Sequence, residues 1–242
     1  MATPIQQDPS GFYFCATNKA GCWGASASYI FDGRYPPDNQ YMLNNATLIM
    51  NQLRYSGWDK RTICAILGNM CAESYLNAGQ TQIGYSIGGR NGGTGLVMWT
   101  PQTDWWYWAR NNDHSVNSGY WQTYCVDTQD NVVKWQQDTY YNMTYGDFKV
   151  NVPNYSVEYL TDAFFYCFEG STDTQSLAYR RYCANWYATH FFGYDPNDPT
   201  LPDQPMPTPT QPTSDPTPWR GFKIWQDKGM PIWMYPTLRQ RR

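Results

Sequence analysis

Apolar side chains recur at three- and four-residue spacing after residue 40, which is the period of one face of an α-helix. The first stripe consists of Met42, Ala46, Ile49, Met50 and Leu53. Gly57 follows it and predicts the end of a first helix. Asp59 then suits the N-cap of a second helix. The second stripe consists of Ile63, Ile66, Leu67 and Met70. The pattern predicts two consecutive amphipathic helices, the second ending near Ala72.

The helical spacing is interrupted between residues 84 and 99 by six glycines, at positions 84, 88, 89, 92, 93 and 95. Glycine breaks helices and permits sharp turns, so this segment is predicted to form a short β-hairpin. Helical spacing resumes over 103–112, 120–141, 156–169 and 175–192, and Ser156 is placed to cap the third of these helices. The predicted fold class is α+β, mainly α, with one small sheet.

Three segments flank this predicted domain, which spans residues 41–194. Residues 1–40 are rich in Gly, Ser, Pro and aromatic residues without helical spacing, and they are predicted to form an irregular arm or small hairpin. Residues 195–218 contain nine prolines in 24 residues, a composition that favours an extended linker. Residues 219–242 are too short to fold alone.

The last segment, residues 219–242, combines positive charge with large apolar side chains. Its six basic residues stand against a single acid, Asp227, for a local net charge of +5. The interleaved apolar residues are Trp219, Phe222, Ile224, Trp225, Ile232, Trp233 and Tyr235. Aromatic and Arg side chains are typical anchors of protein interfaces, so we predict docking on a partner protein. An anionic membrane surface and a disordered tail are the alternatives, and residues 1–40 are a second candidate anchor.

Composition narrows the classes of function. The formal net charge is −3, so no chain-wide positive field favours binding of nucleic acid. No run of about 20 apolar residues is present to span a bilayer, and the first residues lack the features of a secretory signal. Aromatic residues reach 18% and charged residues only 15%. Aromatic rings fill the core, but they also suit interfaces and stack on the apolar faces of sugars.

Cysteine and histidine patterns indicate neither a metal site nor a cofactor. The seven cysteines include no C-x-x-C pair, and the chain has two histidines. Cys64 and Cys71 lie about 10.5 Å apart along one predicted helix, which is too far for a disulfide. The candidate disulfides are Cys15–Cys22 and Cys167–Cys183. Reduced thiols in the core are the alternative.

Glu73 is the candidate for acid chemistry. Hydrolysis of a glycosidic bond needs a carboxylic acid that keeps its proton near neutral pH and gives it to the leaving oxygen. Glu73 lies at the predicted C-terminal end of the second helix, where the helix dipole and apolar neighbours favour the protonated form. On spacing alone, however, a glutamate after a helix is more often a surface residue.

The string GNMCAESYLNAG at 68–79 changes this balance, because it resembles the Gly-Asn-Met-x-x-Glu-Ser segment of the phage tail lysozyme family. Further stretches similar to that family are 43–70, 95–111, 159–170 and 184–191, together with Arg181. The resemblance covers about residues 41–193. Met98 departs from it, since the family's Gly-Leu-Val-Gln-Trp has Gln at that position, and we expect one polar contact with substrate to be missing.

The resemblance implies a lysozyme-like fold in which a helical lobe and the hairpin enclose a cleft for a sugar chain. Glu73 would be the general acid that cleaves β-1,4 bonds between N-acetylmuramic acid and N-acetylglucosamine in bacterial peptidoglycan. The implied protein is a virion component of the phage tail that acts at the host cell wall during genome delivery. Residues 219–242 would dock on other tail proteins, with residues 1–40 as a second candidate docking segment. A lytic transglycosylase and an inactive glycan-binding tail protein are the alternatives.

Four further residues are candidates for binding the substrate. Asn69 lies one helical turn before Glu73, where its amide would orient the carboxyl or a nearby sugar, with solvation on the helix surface as the alternative. Tyr85, Trp99 and Thr100 would line the hairpin side of the cleft by stacking and hydrogen bonding, although Trp99 equally suits the core.

The sequence does not identify a second catalytic carboxylate. The remaining glutamates are Glu158 and Glu169, and the resemblance gives Glu169 a structural, hydrogen-bonding role. Asp104 follows the hairpin and is expected to cap the next helix instead. An inverting enzyme would place its base about 6.5–9.5 Å from the acid, and a retaining enzyme about 5–5.5 Å.

Overall fold

A computed structural model describes residues 3–18, 23, 37–129, 135–136, 138, 140–152, 154–172 and 174–193. The predicted linker (195–218) and docking segment (219–242) lie outside the described residues. The helices are α1 (Gln40–Tyr55), α2 (Lys60–Ser74), α3 (Gln102–Asn111), α4 (Gly119–Thr128), α5 (Tyr145–Val150), α6 (Val157–Cys167) and α7 (Leu177–Phe192). A 3₁₀ turn, Thr174–Ser176, precedes α7, and β1 (Gln6–Gln7) pairs antiparallel with β2 (Tyr13–Phe14). The predicted class, mainly α with a small sheet, is confirmed.

Two predicted helix caps are confirmed and one is wrong. The Asp59 carboxylate accepts hydrogen bonds from the backbone of Arg61 at the start of α2, and the Ser156 hydroxyl caps α6. Asp104 does not cap α3, because that helix begins directly after Pro101 and Asp104 is an exposed residue of its first turn. α3 begins one residue before the predicted position 103, so Asp104 lies inside the helix.

The predicted helix over 120–141 is shorter than expected. α4 ends at Thr128 because Gln129 adopts the left-handed conformation, with φ of 51°. Trp135 instead packs beside the unpredicted helix α5, where its ring lies 4.8 Å from that of Phe148. α5 begins at a capping box, in which Thr144 and Asp147 bond each other's backbone.

The glycine-rich segment turns sharply, as predicted, but it contains single bridges rather than a ladder. Thr94 bridges Thr81 on one side and Trp99 on the other. Glycines 84, 88, 92 and 95 all have positive φ, which a continuous strand does not allow. The two-stranded ladder lies instead in the N-terminal arm, at 6–14.

The arm is fastened to the helical body by buried amides. Asn45 of α1 is fully buried and bonds both the backbone N and O of Tyr13, at 2.8 and 2.7 Å. Asn77 accepts from the backbone N of Cys15 at 3.0 Å. Phe12 is 1% exposed. The arm therefore contributes to the core rather than hanging free of it.

α2 is the central helix and packs against α7 and α6. Its contact with α7 is close because residue 68 is glycine: a Cβ built there would lie 2.5 Å from the Arg180 carbonyl oxygen and 2.7 Å from the Ala184 Cβ. This crossing brings the side chains of α7 against the end of α2, where Glu73 lies.

The buried thiols of Cys167 and Cys183 are reduced, so the candidate bridge between them is not formed. Cys64 and Cys71 are likewise reduced and buried. Cys15 is disulfide-bonded. Its predicted partner, Cys22, lies outside the described residues.

Candidate active site

Glu73 lies in the last turn of α2, as predicted. The helix ends because Tyr75 is left-handed, with φ of 55°, and Leu76 follows with φ of 56°. These two residues turn the chain away from the helix axis, so the Glu73 side chain is 19% exposed at the helix end. A carboxyl in this position is held by rigid structure and remains accessible from one side.

Arg180 of α7 is the ionic partner of Glu73. Its Nη2 donates to Glu73 Oε1, its Nη1 donates to Asn69 Oδ1 at 2.9 Å, and its Nε donates to Ser176 Oγ at 2.9 Å. The guanidinium carbon lies 4.9 Å from the ring centre of Phe165. Because Arg180 is only 5% exposed, these contacts fix the guanidinium in one position, pointing at the carboxyl.

Asn69 orients Arg180 rather than a sugar. It is fully buried, and its Nδ2 donates to the carbonyl oxygens of Ala65 at 2.9 Å and Thr161 at 3.0 Å. The prediction that Asn69 binds substrate directly is therefore wrong in this structure, because its amide is enclosed by three helices. Its effect on Glu73 passes through the guanidinium of Arg180.

Glu169 is a second carboxyl whose pKa depends on the charges of Glu73 and Arg180. It follows the end of α6, with its backbone N bonded to Phe164 O at 3.1 Å. Its Oε1 is buried and has no hydrogen-bond partner among the described residues. Burial raises the pKa of Glu169 well above its usual range, and the negative charge of Glu73 raises it further, while Arg180 acts in the opposite direction. The structural hydrogen bond expected for Glu169 is thus not formed at Oε1.

The remaining glutamate, Glu158, is exposed near the start of α6. Its Oε1 accepts from Asn185 Nδ2 at 2.9 Å. The charge of Glu73 affects the pKa of Glu169. Glu158 is therefore a surface residue.

The residues predicted to line the hairpin side of a cleft separate into two groups. Trp99 is 2% exposed and stacks on Trp105 with ring centres 4.9 Å apart. Trp99 is therefore a core residue, and its ring is not exposed for a sugar to stack on it. Tyr85 is 41% exposed, and exposed Thr100 donates its hydroxyl to Met98 O at 2.9 Å. These two remain predicted substrate contacts.

Hydrogen bonds tie the glycine-rich segment to the end of α2. Ser74 Oγ, next to the candidate acid, donates to Leu96 O at 3.0 Å. Leu96 N in turn donates to Gln122 Oε1 of α4 at 2.7 Å. Glycine suits position 95 because its φ is 79°, and a Cβ there would also lie 2.5 Å from Gln122 Oε1. The segment therefore has a fixed position relative to the helix that carries Glu73.

The sequence pattern did not indicate Arg180, although the adjacent Arg181 belongs to the family resemblance. Arg181 faces outward and pairs with Asp162, with Nε and Oδ1 2.8 Å apart. A local signal for Arg180 does exist, because it shares a helix face with Leu177 and Ala184 of the buried side of α7. A charge within an apolar stripe has to be paired, and that requirement points to a buried carboxylate partner.

Within the described part of the chain, no cluster of three or more His, Cys, Asp or Glu side chains is placed to hold a metal ion. The described helices also include none that is long and apolar enough to cross a membrane.

Comparison with known proteins gives two findings. The family model of phage tail lysozymes matches residues 44–191, a range that contains Glu73, Glu169 and Arg180. Morphogenesis protein 1 of Bacillus phage B103 is 45% identical over 71 residues, which are 29% of this chain and 19% of that relative. The aligned stretch therefore spans about a fifth of the relative's length.

Proposed function

Because the chain belongs to the phage tail lysozyme family, we propose that it is a virion-associated glycoside hydrolase. Its substrate is bacterial peptidoglycan, in which it cleaves the β-1,4 bond between N-acetylmuramic acid and N-acetylglucosamine as the phage delivers its genome. The observation that carries the proposal is the partly exposed carboxyl of Glu73, held at the end of α2 against buried Arg180 inside the matched range.

Glu73 is proposed to act as the general acid. Cleavage of a glycosidic bond leaves an oxygen that must receive a proton while the sugar ring acquires positive charge. Glu73 is accessible from one side and would give its proton to that oxygen. As the proton leaves, Glu73 becomes a carboxylate, and Arg180 is already in place to stabilise the new negative charge.

Tyr85 and Thr100 are proposed to contact the glycan from the glycine-rich segment. Tyr85 is exposed and offers a ring face for a sugar. The link from Ser74 to Leu96 keeps this segment next to the end of α2. A glycan strand would then lie between an acid on a helix and aromatic and hydroxyl contacts on a turn-rich loop.

The test is digestion of purified peptidoglycan, with the products identified by mass spectrometry. We expect new reducing ends of muramic acid with wild-type protein. Glu73→Gln keeps the shape of the side chain but has no proton to give, so the rate is expected to fall at least about 100-fold. Glu158→Gln changes an exposed glutamate in the same way and is expected to retain the wild-type rate.

Each other outcome has a definite meaning. Products with 1,6-anhydro ends would make the protein a lytic transglycosylase. No cleavage by folded wild-type protein would contradict an enzymatic role. A Glu73→Gln variant that cleaves at the wild-type rate would show that the acid is another residue.

A further inference from the structure

The N-terminal arm lies along the chain that leaves the end of α2. Asn77 Oδ1 accepts from Cys15 N at 3.0 Å, and Asn77 Nδ2 donates to Cys15 O at 3.0 Å. Further along both segments, Thr17 N donates to Gly79 O at 3.2 Å and Thr17 O accepts from Thr81 N at 2.7 Å. The arm therefore supplies hydrogen-bond partners to the segment that follows the candidate acid.

This contact between the two segments is close and buried. A Cβ at Gly79 would lie 2.6 Å from the Cys15 carbonyl oxygen, so glycine is what lets the two backbones meet. Thr17 and Thr81 are both buried. Because buried backbone groups are costly to leave without partners, the course of the arm is fixed as far as Thr17.

Asn18 extends the contact to Tyr85, a predicted substrate contact. Its Nδ2 donates to Tyr85 O at 2.8 Å. The base of the Tyr85 ring lies against Gly92, where a Cβ would be 2.5 Å from Tyr85 Cγ. The ring nevertheless remains exposed. The backbone of Tyr85 is thus held by the arm and its ring by the glycine-rich segment, while part of the ring faces solvent.

The arm also contacts the beginning of this segment. Trp23 Nε1 donates to the carbonyl oxygen of Tyr75, the C-cap of α2, at 3.0 Å. The arm therefore contacts the chain both two residues after Glu73 and at Tyr85. The family match begins at residue 44, so these arm residues lie outside the matched range.

We propose that Asn18 is a positioning residue that holds Tyr85 where its ring meets the glycan, so that the N-terminal arm raises the affinity for the sugar chain. This rests on the proposed function, in which Tyr85 contacts the glycan. A ring that is already held in place binds more tightly, because ordering it on binding costs free energy. Asn18 acts through the backbone of Tyr85 and does not itself contact the sugar.

Removal of the Asn18 amide tests the proposal. The probe is a soluble tetrasaccharide of alternating N-acetylglucosamine and N-acetylmuramic acid, and its Kd is measured by calorimetry on proteins that carry Glu73→Gln. Asn18→Ala should raise this Kd about three- to tenfold, which corresponds to the net contribution of one hydrogen bond. With Glu73 intact, kcat on soluble glycan strands should stay within about twofold, because Asn18→Ala leaves Arg180 bonded to Glu73.

Asn44→Ala is the matched control. Asn44 Nδ2 donates to Gly11 O at 2.9 Å, so this variant removes the same kind of bond where the arm meets α1. It should keep the wild-type Kd. Tyr85→Ala should weaken binding at least as much as Asn18→Ala does, and adding Asn18→Ala to Tyr85→Ala should not change Kd further.

The positioning role and the proposed function fail in different ways. If the Asn18→Ala and Asn44→Ala proteins bind the tetrasaccharide equally well, the positioning role is wrong and the proposed function stands. An effect of Asn18→Ala that persists without the Tyr85 ring also overturns the positioning role. The expected Kd values in a protein that cleaves no peptidoglycan would refute hydrolysis alone. If none of the folded proteins binds the tetrasaccharide, both proposals are wrong.

Discussion

At the scale of the residue, the site depends on how one buried guanidinium is held. Arg180 donates hydrogen bonds to a carboxylate, an amide and a hydroxyl, and its guanidinium lies over the ring of Phe165. A lysine at 180 would supply the charge but not the planar fork that satisfies three acceptors in fixed directions. Arginine therefore supplies geometry as well as charge at this position.

The protonation of Glu169 also has a consequence for stability. Burial, and next the charge of Glu73, raise the pKa of Glu169 in the folded protein, whereas the unfolded chain has a value of about 4.3. The folded state thus binds the proton more tightly. The stability gained from binding this proton is fully present below the pKa that Glu169 has in the unfolded chain. It is lost as the pH rises through the pKa that Glu169 has in the folded protein.

We therefore expect wild type to lose stability relative to Glu169→Gln as pH rises above about 4.3, by at most about 1.4 kcal/mol per pH unit. Urea unfolding of both proteins across pH 4 to 8 measures this difference. The Glu158→Gln variant should show no comparable trend. A wild-type to Glu169→Gln difference that stays constant over the range would mean that Glu169 ionises as readily in the fold as in the unfolded chain.

At the scale of the element, the crossing of α2 and α7 decides whether the site forms. The helices approach closely where Gly68 faces the Arg180 backbone and Ala184. Asn69 comes next in α2 and meets the Arg180 side chain. Glu73 follows one turn later, and the same guanidinium reaches it. Helix packing and site geometry are therefore set by the same contact.

Gly68→Ala tests this contact. Alanine favours a helix by about 1 kcal/mol over glycine, but its Cβ would lie within 3 Å of backbone atoms of α7. We expect net destabilisation of about 1–3 kcal/mol from overpacking, together with reduced cleavage of peptidoglycan as Arg180 is displaced. Chemical denaturation and the digestion assay measure the two effects.

Gly146→Ala in α5 is the matched control, because the nearest atom to its Cβ would be Thr144 Oγ1 at 3.7 Å. That variant should be as stable as wild type or slightly more stable. A stable and fully active Gly68→Ala would show that α7 can move away from α2 without disturbing Glu73.

At the scale of the whole molecule, the domain with the proposed enzyme activity (41–194) and the segment that would attach it to the virion (219–242) are predicted to be separate. The described residues form one core that includes the N-terminal arm through Phe12 and Asn45. The predicted linker (195–218) and docking segment (219–242) lie beyond it in the sequence and outside the described residues. Their roles are predictions from composition.

Deleting residues 219–242 is expected to spare activity on isolated peptidoglycan and to remove the protein from assembled virions. The physical reason is that its basic and aromatic residues would provide most of the affinity for a tail partner. Immunoblots of purified particles, with the digestion assay as control, measure both effects. Normal amounts of the truncated protein in particles would place the anchor elsewhere, with residues 1–40 the first alternative. That arm has to be tested by surface substitutions, because its deletion would remove core residues.

Local signals were sufficient for much of the helical framework. The apolar spacing of α1 and α2, the Asp59 cap and the place of Glu73 in the last turn all depend on residues within a few positions of each other. Such features follow from side-chain periodicity and capping, which operate over one or two turns. The family resemblance then singled out Glu73 from its own short segment, and the family match confirms that resemblance.

What only the tertiary structure decided depends on residues far apart in the chain. Arg180 meets Glu73 across 107 positions, because α6 and α7 both pack on the helix that carries Glu73. No local pattern contains that information, since it arises from the close crossing at Gly68. Burial likewise removed Trp99 from the predicted binding residues. The sequence by itself determined which residue is the candidate acid, and helix packing determined the charged groups that surround it.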